Sequence, residues 1–381
     1  MVTPALVATQ NNRMKTLRRF VYRETFSAVL FVTLGFLALF FFFDMVDELR
    51  WVGMSGGTYQ LSHALLTVAL AIPSHLYELL PITVLIGTIF VMSRLAQSSE
   101  FTIMRTSGLG PGRALGMLMA LGALFVAITF VVGDYLAPLS DRAAQQVKAR
   151  SLGKITTGST GAWLKERRDG HAYAINVRAI GADSTLQNVR IFEFGADGRL
   201  VSQTQAQQAQ VSAPDHWTLT GVRRSVLHGS TAGSEASVEN LQLPTLEWPT
   251  RISTDMVVAA VLKPDRMATL DLFHYIRHLE ANGQSAQRYE IEFWRKVFYP
   301  LSCLVMVVLA LPFAYLHFRS GSVTGYVFGG VMAGISFFLL NNVFGYAGNL
   351  QHWSPWLTAA APGFIYSLLS LAAFGWLVLR R

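Results

Sequence analysis

The residue types that do enzyme chemistry occur in this sequence, but their spacing matches no catalytic motif. Gly153-Lys154 is followed by Ile155, so the G-x-x-x-x-G-K-[ST] loop that cradles nucleotide phosphates is missing. There is no H-E-x-x-H zinc pattern and no G-x-S-x-G nucleophile turn, and the nine histidines lack ligand spacing. The single cysteine, Cys303, can form no internal disulfide and is predicted to be a buried apolar residue. We therefore expect no catalytic site, no metal and no cofactor.

One polar connection, at residues 93–108, has a pattern suited to binding instead. Ser98 or Ser99 can cap a short helix with Glu100 in its first turn, and Gly108 can end it. The segment is too apolar for an idle loop because it also contains Leu95, Phe101, Ile103 and Met104. The sequence predicts a short amphipathic helix that either docks a partner protein or simply lies at a membrane surface.

The elements that must position this helix are long apolar segments. Residues are 52% apolar and only 14% charged, against about 25% charged in a typical soluble domain. At 1.5 Å per residue each segment can cross a hydrocarbon layer of ~30 Å as a helix. The sequence predicts an α-helical membrane protein with six transmembrane helices, three on each side of a polar insert. The segments are 25–44, 63–93, 111–133, 297–318, 322–344 and 355–379.

The polar insert predicts an all-β domain of the sandwich or jellyroll kind. Residues 171–177, 189–194 and 217–222 have strand-like patterns, and Asp197-Gly198 is a tight-turn pair. Sequence patterns leave the strand order open. The predicted domains are an N-terminal membrane half (1–139), a β-jellyroll-like domain (140–265) and a C-terminal membrane half (266–381).

Basic residues flank alternate ends of the apolar segments, which predicts the orientation. The formal net charge is +8, and we attribute much of it to these flanks rather than to nucleic-acid binding. The positive-inside rule places both termini in the cytoplasm and the insert outside. The first apolar run lacks a cleavage site and is expected to be a retained signal anchor. The basic residues on which the predicted orientation rests are Arg13, Lys15, Arg18, Arg19, Arg23, Arg94, Arg105, Arg113, Arg319, Arg380 and Arg381.

Two further patterns concern the helices themselves. Gly325/Gly329 and Gly330/Gly334 form small-xxx-small pairs, which favour close helix packing either within the chain or between subunits. Arg288, Glu292 and Lys296 recur every four residues and are predicted to form solvated or interfacial pairs.

Several short motifs, spread over nearly the whole chain, give it a resemblance to the LptF/LptG family, also called the YjgP/YjgQ permeases. The most specific motif is Leu95-Ala96, Ser99-Glu100 and Met104 to Gly108. Gly283-Gln284 and Arg288-Tyr289 are more similar to the LptG half of the family than to LptF. The other motifs are Leu79-Leu80-Pro81 to Gly87, Ala137-Pro138, Trp294, Lys296 and Pro300-Leu301-Ser302.

The resemblance implies a permease subunit of an ABC transporter in the inner membrane of Gram-negative bacteria. Such a subunit extracts lipopolysaccharide from the outer leaflet and passes it to a bridge of periplasmic β-jellyroll domains. Its implied partners are an LptF-like permease in a heterodimer, two copies of a cytosolic LptB-like ATPase, an LptC-like protein with one membrane helix, and membrane lipids. The alternatives are a membrane-anchored periplasmic sensor or scaffold without transport, and an ABC subunit that transmits motion but moves no lipid.

The resemblance also implies roles for individual residues. Glu100 matches the family acid that contacts the ATPase, and Arg94, Phe101, Met104 and Arg105 belong to the same coupling helix, at about 94–109. Lipopolysaccharide carries phosphates, so basic residues just after the third helix are candidates to bind it. The sequence departs from the family at Gln145, where arginine is common, and at Asp44, where lysine is frequent.

Residues expected near the lipid also include ionisable groups at membrane depth. His75 and Glu78 lie between two prolines of the second apolar segment, and such groups face a cavity, a partner or an internal pair. The predicted lipopolysaccharide-binding residues are Asp44, His75, Glu78, Arg142, Lys148 and Arg150.

Overall fold

The computed structural model describes most of the chain. The chain divides into two compact units. The helical unit comprises Met1–Phe43, Ile72–Ala137 and Glu290–Arg381, and the β-unit comprises Asp44–Ala71 and Pro138–Tyr289. Arg319, Arg380 and Arg381 lie outside the described residues, as do the side chains of Arg13, Lys15 and Arg150. The described residues are 4–53, 59–152, 155–156, 161–181, 185–213, 216–228, 237–253, 256–257, 264–315 and 323–376.

Long helices dominate the described chain. Five of them are long and apolar enough to cross a membrane, and the bent pair Gln287–Phe298 and Ser302–Tyr315 makes a sixth if it is counted as one span. A π-helical turn at Val132–Leu136 joins the helix Pro111–Val131 to the helix Ala137–Leu152. The helices are α1 (Pro4–Leu49), α2 (Leu61–Gln97), α3 (Glu100–Thr106), α4 (Pro111–Val131), α5 (Ala137–Leu152), α6 (Thr269–Ala281), α7 (Gln287–Phe298), α8 (Ser302–Ala310), α9 (Val323–Leu350) and α10 (Pro355–Phe374).

Glycine and threonine allow α1 and α2 to pack closely. A Cβ atom on Gly87 would lie 2.8 Å from the Cα atom of Val29, so the backbone of α1 leaves no room for a side chain. Nearby, the Thr33 hydroxyl donates a hydrogen bond to the Thr83 hydroxyl at 2.9 Å. Gly87 belongs to one of the family motifs, and this close approach is a physical reason for glycine there.

The fourth apolar segment is not the single helix that its sequence predicts. The chain bends by 47° between α7 and α8. Pro300 lies in the break and has no N–H to donate to a carbonyl of the preceding turn. The backbone N–H groups of Ser302 and Cys303 instead donate to the carbonyls of Tyr299 and Pro300, each three residues earlier in the chain. The bend therefore has an identifiable cause in proline.

Within its described residues the insert forms an antiparallel sheet of seven strands, which confirms the predicted fold class. The strands are β1 (Ile155–Thr156), β2 (Ala162–Arg168), β3 (His171–Ile180), β4 (Leu186–Phe194), β5 (Leu200–Ala213), β6 (His216–His228) and β7 (Ser237–Pro249). The strand order is β1-β3-β4-β5-β6-β7, and β2 also pairs with β3. Gly198 adopts φ +76° in the turn between β4 and β5, as the Asp197-Gly198 pair predicts.

One face of the sheet forms the core of the β-unit. Trp217 is fully buried, and its indole N–H donates to the carbonyl of Ile252 at 2.8 Å. The Trp217 ring lies 5.8 Å from the ring of Trp248. Alternate residues of β3, β4 and β5 extend this core, as the period of two in a half-buried strand requires.

Within the β-unit, buried polar contacts attach the end of α6 to the sheet. The backbone N–H of Arg167, on β2, donates to the side-chain oxygen of Asn282 at 3.1 Å. The neighbouring Glu166 carboxylate is buried and accepts hydrogen bonds from the Thr250 hydroxyl at 2.7 Å and the Arg251 N–H at 2.9 Å. These contacts keep the buried carboxylate hydrogen-bonded, which offsets its loss of hydration.

His278, on α6, should make the β-unit less stable in mild acid. Burial lowers the pKa of this imidazole, and the charge of Glu166 only partly opposes that effect. Below about pH 6.5 the unfolded chain takes up a proton that the folded chain resists, so stability falls as the pH decreases. We expect the unfolding midpoint of the detergent-solubilised chain to drop less between pH 7.5 and 5.5 in His278→Gln than in the wild type. Equal drops in the two proteins would contradict this assignment.

Candidate functional site

The short helix α3 is present, but it is shorter than the predicted segment 94–109. The end of α2 extends through Gln97, and α3 begins after Ser99, whose φ of +57° reverses the chain. No side-chain hydrogen bond caps its start. Gly108 adopts φ +101°, a conformation that favours glycine, and ends the helix.

One face of α3 is buried against its own chain. Phe101 and Met104 belong to the main hydrophobic cluster of the helical unit. The Phe101 ring lies 5.1 Å from the ring of Tyr315, and the Arg105 guanidinium lies 4.9 Å from the centre of the same ring. Three of the predicted coupling residues therefore hold α3 in place.

The other face of α3 is exposed. Glu100 is exposed, and Ile103, one turn later, has 63% of its surface exposed. The sequence-based site included Glu100 but omitted Ile103, although the three-residue spacing already places them on one helical face. Arg94 is outside α3 and forms an ion pair with Glu24 of α1 at 2.5 Å.

Two of the three basic residues predicted to bind lipopolysaccharide, Arg142 and Lys148, pair with carboxylates of the β-unit. The Lys148 ammonium donates to the buried carboxylate of Glu48 at 2.7 Å. Tyr59 donates to the other oxygen of Glu48, and burial together with this carboxylate raises the pKa of Tyr59 to about 12. Arg142 pairs with Asp271 on α6. An incoming phosphate would therefore have to compete with these carboxylates.

The remaining predicted lipid-site residues lie in separate local environments. Asp44 is half-buried near the end of α1 and has polar contacts of its own. The His75 ring is 4.8 Å from the ring of Phe40. The Glu78 side chain is exposed, while its backbone carbonyl accepts a hydrogen bond from the Tyr299 hydroxyl at 2.5 Å.

The four glycines of the two small-xxx-small pairs in α9 differ in what they contact. A Cβ atom on Gly330 would lie 2.7 Å from Ile89, and one on Gly334 would lie 2.8 Å from Ile82, so this pair packs on α2. Gly325 and Gly329 have no described atom within 4 Å of the Cβ position. The pair Gly330/Gly334 thus packs against another helix of the same chain, whereas the pair Gly325/Gly329 faces open space.

A buried lysine is the main feature that the sequence did not reveal. Lys296 is predicted to be solvated or interfacial, which is wrong, because the residue is only 7% exposed. Its ammonium donates to the carbonyl of Gly133 at 3.0 Å and lies 5.5 Å from the centre of the Tyr77 ring. The preceding residue, Arg295, pairs with Glu292 at 2.9 Å.

These features define the class of protein. Within the described part of the chain no three His, Cys, Asp or Glu side chains converge on a metal-binding position. Apolar helices long enough to cross a membrane, an inserted antiparallel β-domain and an exposed short helix define a multi-pass membrane protein. More specifically, the chain belongs to the LptF/LptG family, because residues 19–379 match the family described as "Lipopolysaccharide export system permease LptF/LptG".

Curated relatives support the LptG side of this family. The lipopolysaccharide export system permease protein LptG of Haemophilus influenzae is 29% identical over 371 residues, which cover 97% of this chain and 99% of the relative. The LptG protein of Escherichia coli K12 is 27% identical over 369 residues, covering 96% and 98% of the two chains. The family predicted from the sequence motifs is confirmed, and the relatives are named as permeases rather than enzymes.

Proposed function

We propose that this chain is an LptG-like permease subunit of an ABC transporter that extracts lipopolysaccharide from the outer leaflet of the inner membrane. The observation that carries this proposal is the open face of α3, with exposed Glu100 and Ile103 on a helix that is held by Phe101 and Met104. A docking helix that is rigidly attached to membrane-spanning helices can transmit motion from a soluble ATPase. The full-length match to lipopolysaccharide export permeases supports the choice of substrate.

The proposed assembly contains several other chains. Two copies of an LptB-like ATPase would dock on the cytoplasmic side, one of them on α3, and an LptF-like permease would complete a heterodimer. Only 11% of the most apolar stretch of α1 is buried within the chain, and lipid or a second subunit can cover the rest. An LptC-like protein would contribute one helix, and the β-unit would join the periplasmic bridge.

This assembly implies an orientation and a set of lipid contacts. Both termini would lie in the cytoplasm and the β-unit in the periplasm of a Gram-negative cell. Arg142 and Lys148 would exchange their present carboxylate partners, Asp271 and Glu48, for lipid phosphates. Asp44, His75, Glu78 and Arg150 remain candidates for the lipid path, and the open pair Gly325/Gly329 for a contact with the second permease.

Co-expression tests the proposal directly. The chain is produced with an LptF-like permease and an LptB-like ATPase, and the product is examined by native mass spectrometry and ATPase assay. We expect a complex of one LptG-like chain, one LptF-like chain and two ATPases that carries lipopolysaccharide, with hydrolysis stimulated by that lipid. A chain that binds neither ATPase nor lipid would overturn the proposal and favour a periplasmic sensor or scaffold.

A further inference from the structure

The outward face of the β-unit sheet contains a polar cleft away from the core. Across strands β4 to β7, the residues Arg190, Gln205, Arg223 and Gln242 form one cross-strand row. Their chain neighbours, such as Val189, point to the opposite, buried face, so this row faces solvent. The cleft over this row has a volume of about 470 Å³.

The charge in this cleft is entirely positive. Arg178, Arg190 and Arg223 line it, and the lining residues include no aspartate or glutamate. Arg190 and Arg223 both flank Gln205, so at about 4.8 Å between strands their Cα atoms are roughly 10 Å apart. Two guanidinium groups at that separation can reach one anionic group between them.

These two arginines differ from other basic residues of the β-unit. Arg142, Lys148 and Arg224 each lie within 4.0 Å of a carboxylate. Arg190 and Arg223, by contrast, form no ion pair with any residue that the structure describes. Only Gln205 lies between them in the cross-strand row, so an anionic group bound there would be attracted by both positive charges.

The other lining groups indicate the chemical class of the ligand. Side-chain amides surround the arginines, and amides both donate and accept hydrogen bonds, as sugar hydroxyls require. Gly221, at φ +66°, has no side chain, and Gln207 lies over it. The cleft has no exposed large apolar side chain, so a lipid tail would gain little there. The amide residues are Asn188, Gln205, Gln207 and Gln242.

We propose that this outward cleft binds a phosphate- or carboxylate-bearing sugar, namely the headgroup of the transported glycolipid. The source of the sugar rests on the proposed function, whereas the class of ligand rests on the arginines and amides alone. Binding on the outward face would let the sheet hold the hydrophilic part of the lipid without exposing its own core. Guanidinium pairs favour such planar or tetrahedral oxyanions through two hydrogen bonds each.

The test uses the full-length chain in detergent and a water-soluble probe. The probe is lipopolysaccharide freed of its acyl chains by alkali, which keeps its anionic sugars, and a neutral dextran oligosaccharide of similar size is the comparison. We expect the wild type to bind only the anionic probe, and the double variant Arg190→Gln/Arg223→Gln to bind it at least tenfold more weakly by calorimetry. Arg199→Gln, a matched change in the exposed turn between β4 and β5, should bind like the wild type.

Opposite results separate this inference from the proposed function. Equal affinity in the wild type and the double variant, or equal binding of dextran, would overturn the cleft assignment. If the wild type fails to bind the anionic probe while the assembled transporter is stimulated by lipopolysaccharide, the cleft assignment fails and the function stands. If the double variant alone loses binding but no lipid stimulates the ATPase, the cleft is a site for anionic sugars and the proposed function fails.

Discussion

Ile103→Asp is expected to release the ATPase from the permease while leaving the permease folded. Ile103 is 63% exposed, so the chain loses little internal packing when its side chain changes. In the proposed complex the same side chain would enter an apolar groove, where a carboxylate would be desolvated without a partner. Residues at the centre of such interfaces contribute about 2 kcal/mol or more, so affinity should fall roughly thirtyfold.

Variants of neighbouring residues separate docking from folding. Glu100→Ala should also weaken ATPase binding, and Ile103→Val should be almost neutral. Phe101→Ala, on the buried face of the same helix, should instead destabilise the permease by about 3–5 kcal/mol. The measurements are the amount of ATPase that co-purifies and the thermal unfolding midpoint of the permease alone. If Ile103→Asp keeps its full share of ATPase, α3 is not the docking element.

Ile103 is exposed and Phe101 is buried, although both lie on the same short helix. This difference shows which part of the structure of α3 can be predicted from the sequence. The apolar residues of the loop predict a short helix, because capping and spacing are local properties of the chain. They do not show which residues face the protein, since that depends on Tyr315, more than two hundred residues away. Local patterns therefore located the helix, and only the fold separates its exposed face from its buried face.

In the β-unit, too, the sequence predicts only part of the structure. The strands at 171–177 and 189–194 were predictable because their apolar residues form the buried core. Strand β7 was missed because it contains Pro244 and Pro249 and has few buried residues. Proline is tolerated there because β7 ends the strand order and pairs only with β6 among the described strands.

The buried lysine of α7 leads to the second prediction, which concerns the backbone of the π-helical turn. In that turn the N–H of Ala137 donates to the carbonyl of Val132 instead of that of Gly133. The next residue is Pro138, which has no N–H to offer to Gly133 in the π-helical register. The ammonium of Lys296 donates to this carbonyl. Two separate family motifs thus bear on the carbonyl of Gly133: Ala137-Pro138 offers it no N–H, and Lys296 donates to it.

Lys296→Met is expected to destabilise the helical unit by about 1–3 kcal/mol, because it leaves a buried backbone carbonyl without this donor. Methionine preserves much of the side-chain volume, so the loss would come from the hydrogen bond and from the cation near the Tyr77 ring. The measurement is the thermal unfolding midpoint of the detergent-solubilised chain. Lys296 has further polar contacts, so Lys296→Arg is included to test whether a positive charge alone restores the midpoint.

A double-mutant cycle with Pro138→Ala tests the mechanism, since alanine supplies the N–H that proline lacks. If the lysine compensates for the missing N–H, Lys296→Met should cost less in the Pro138→Ala background than in the wild type. Leu139→Ala, an exposed neighbour on α5, is the matched control and should leave the cost of Lys296→Met unchanged. Equal costs in all three backgrounds would show that Lys296 stabilises the chain through other contacts, and that the proline and the lysine act independently.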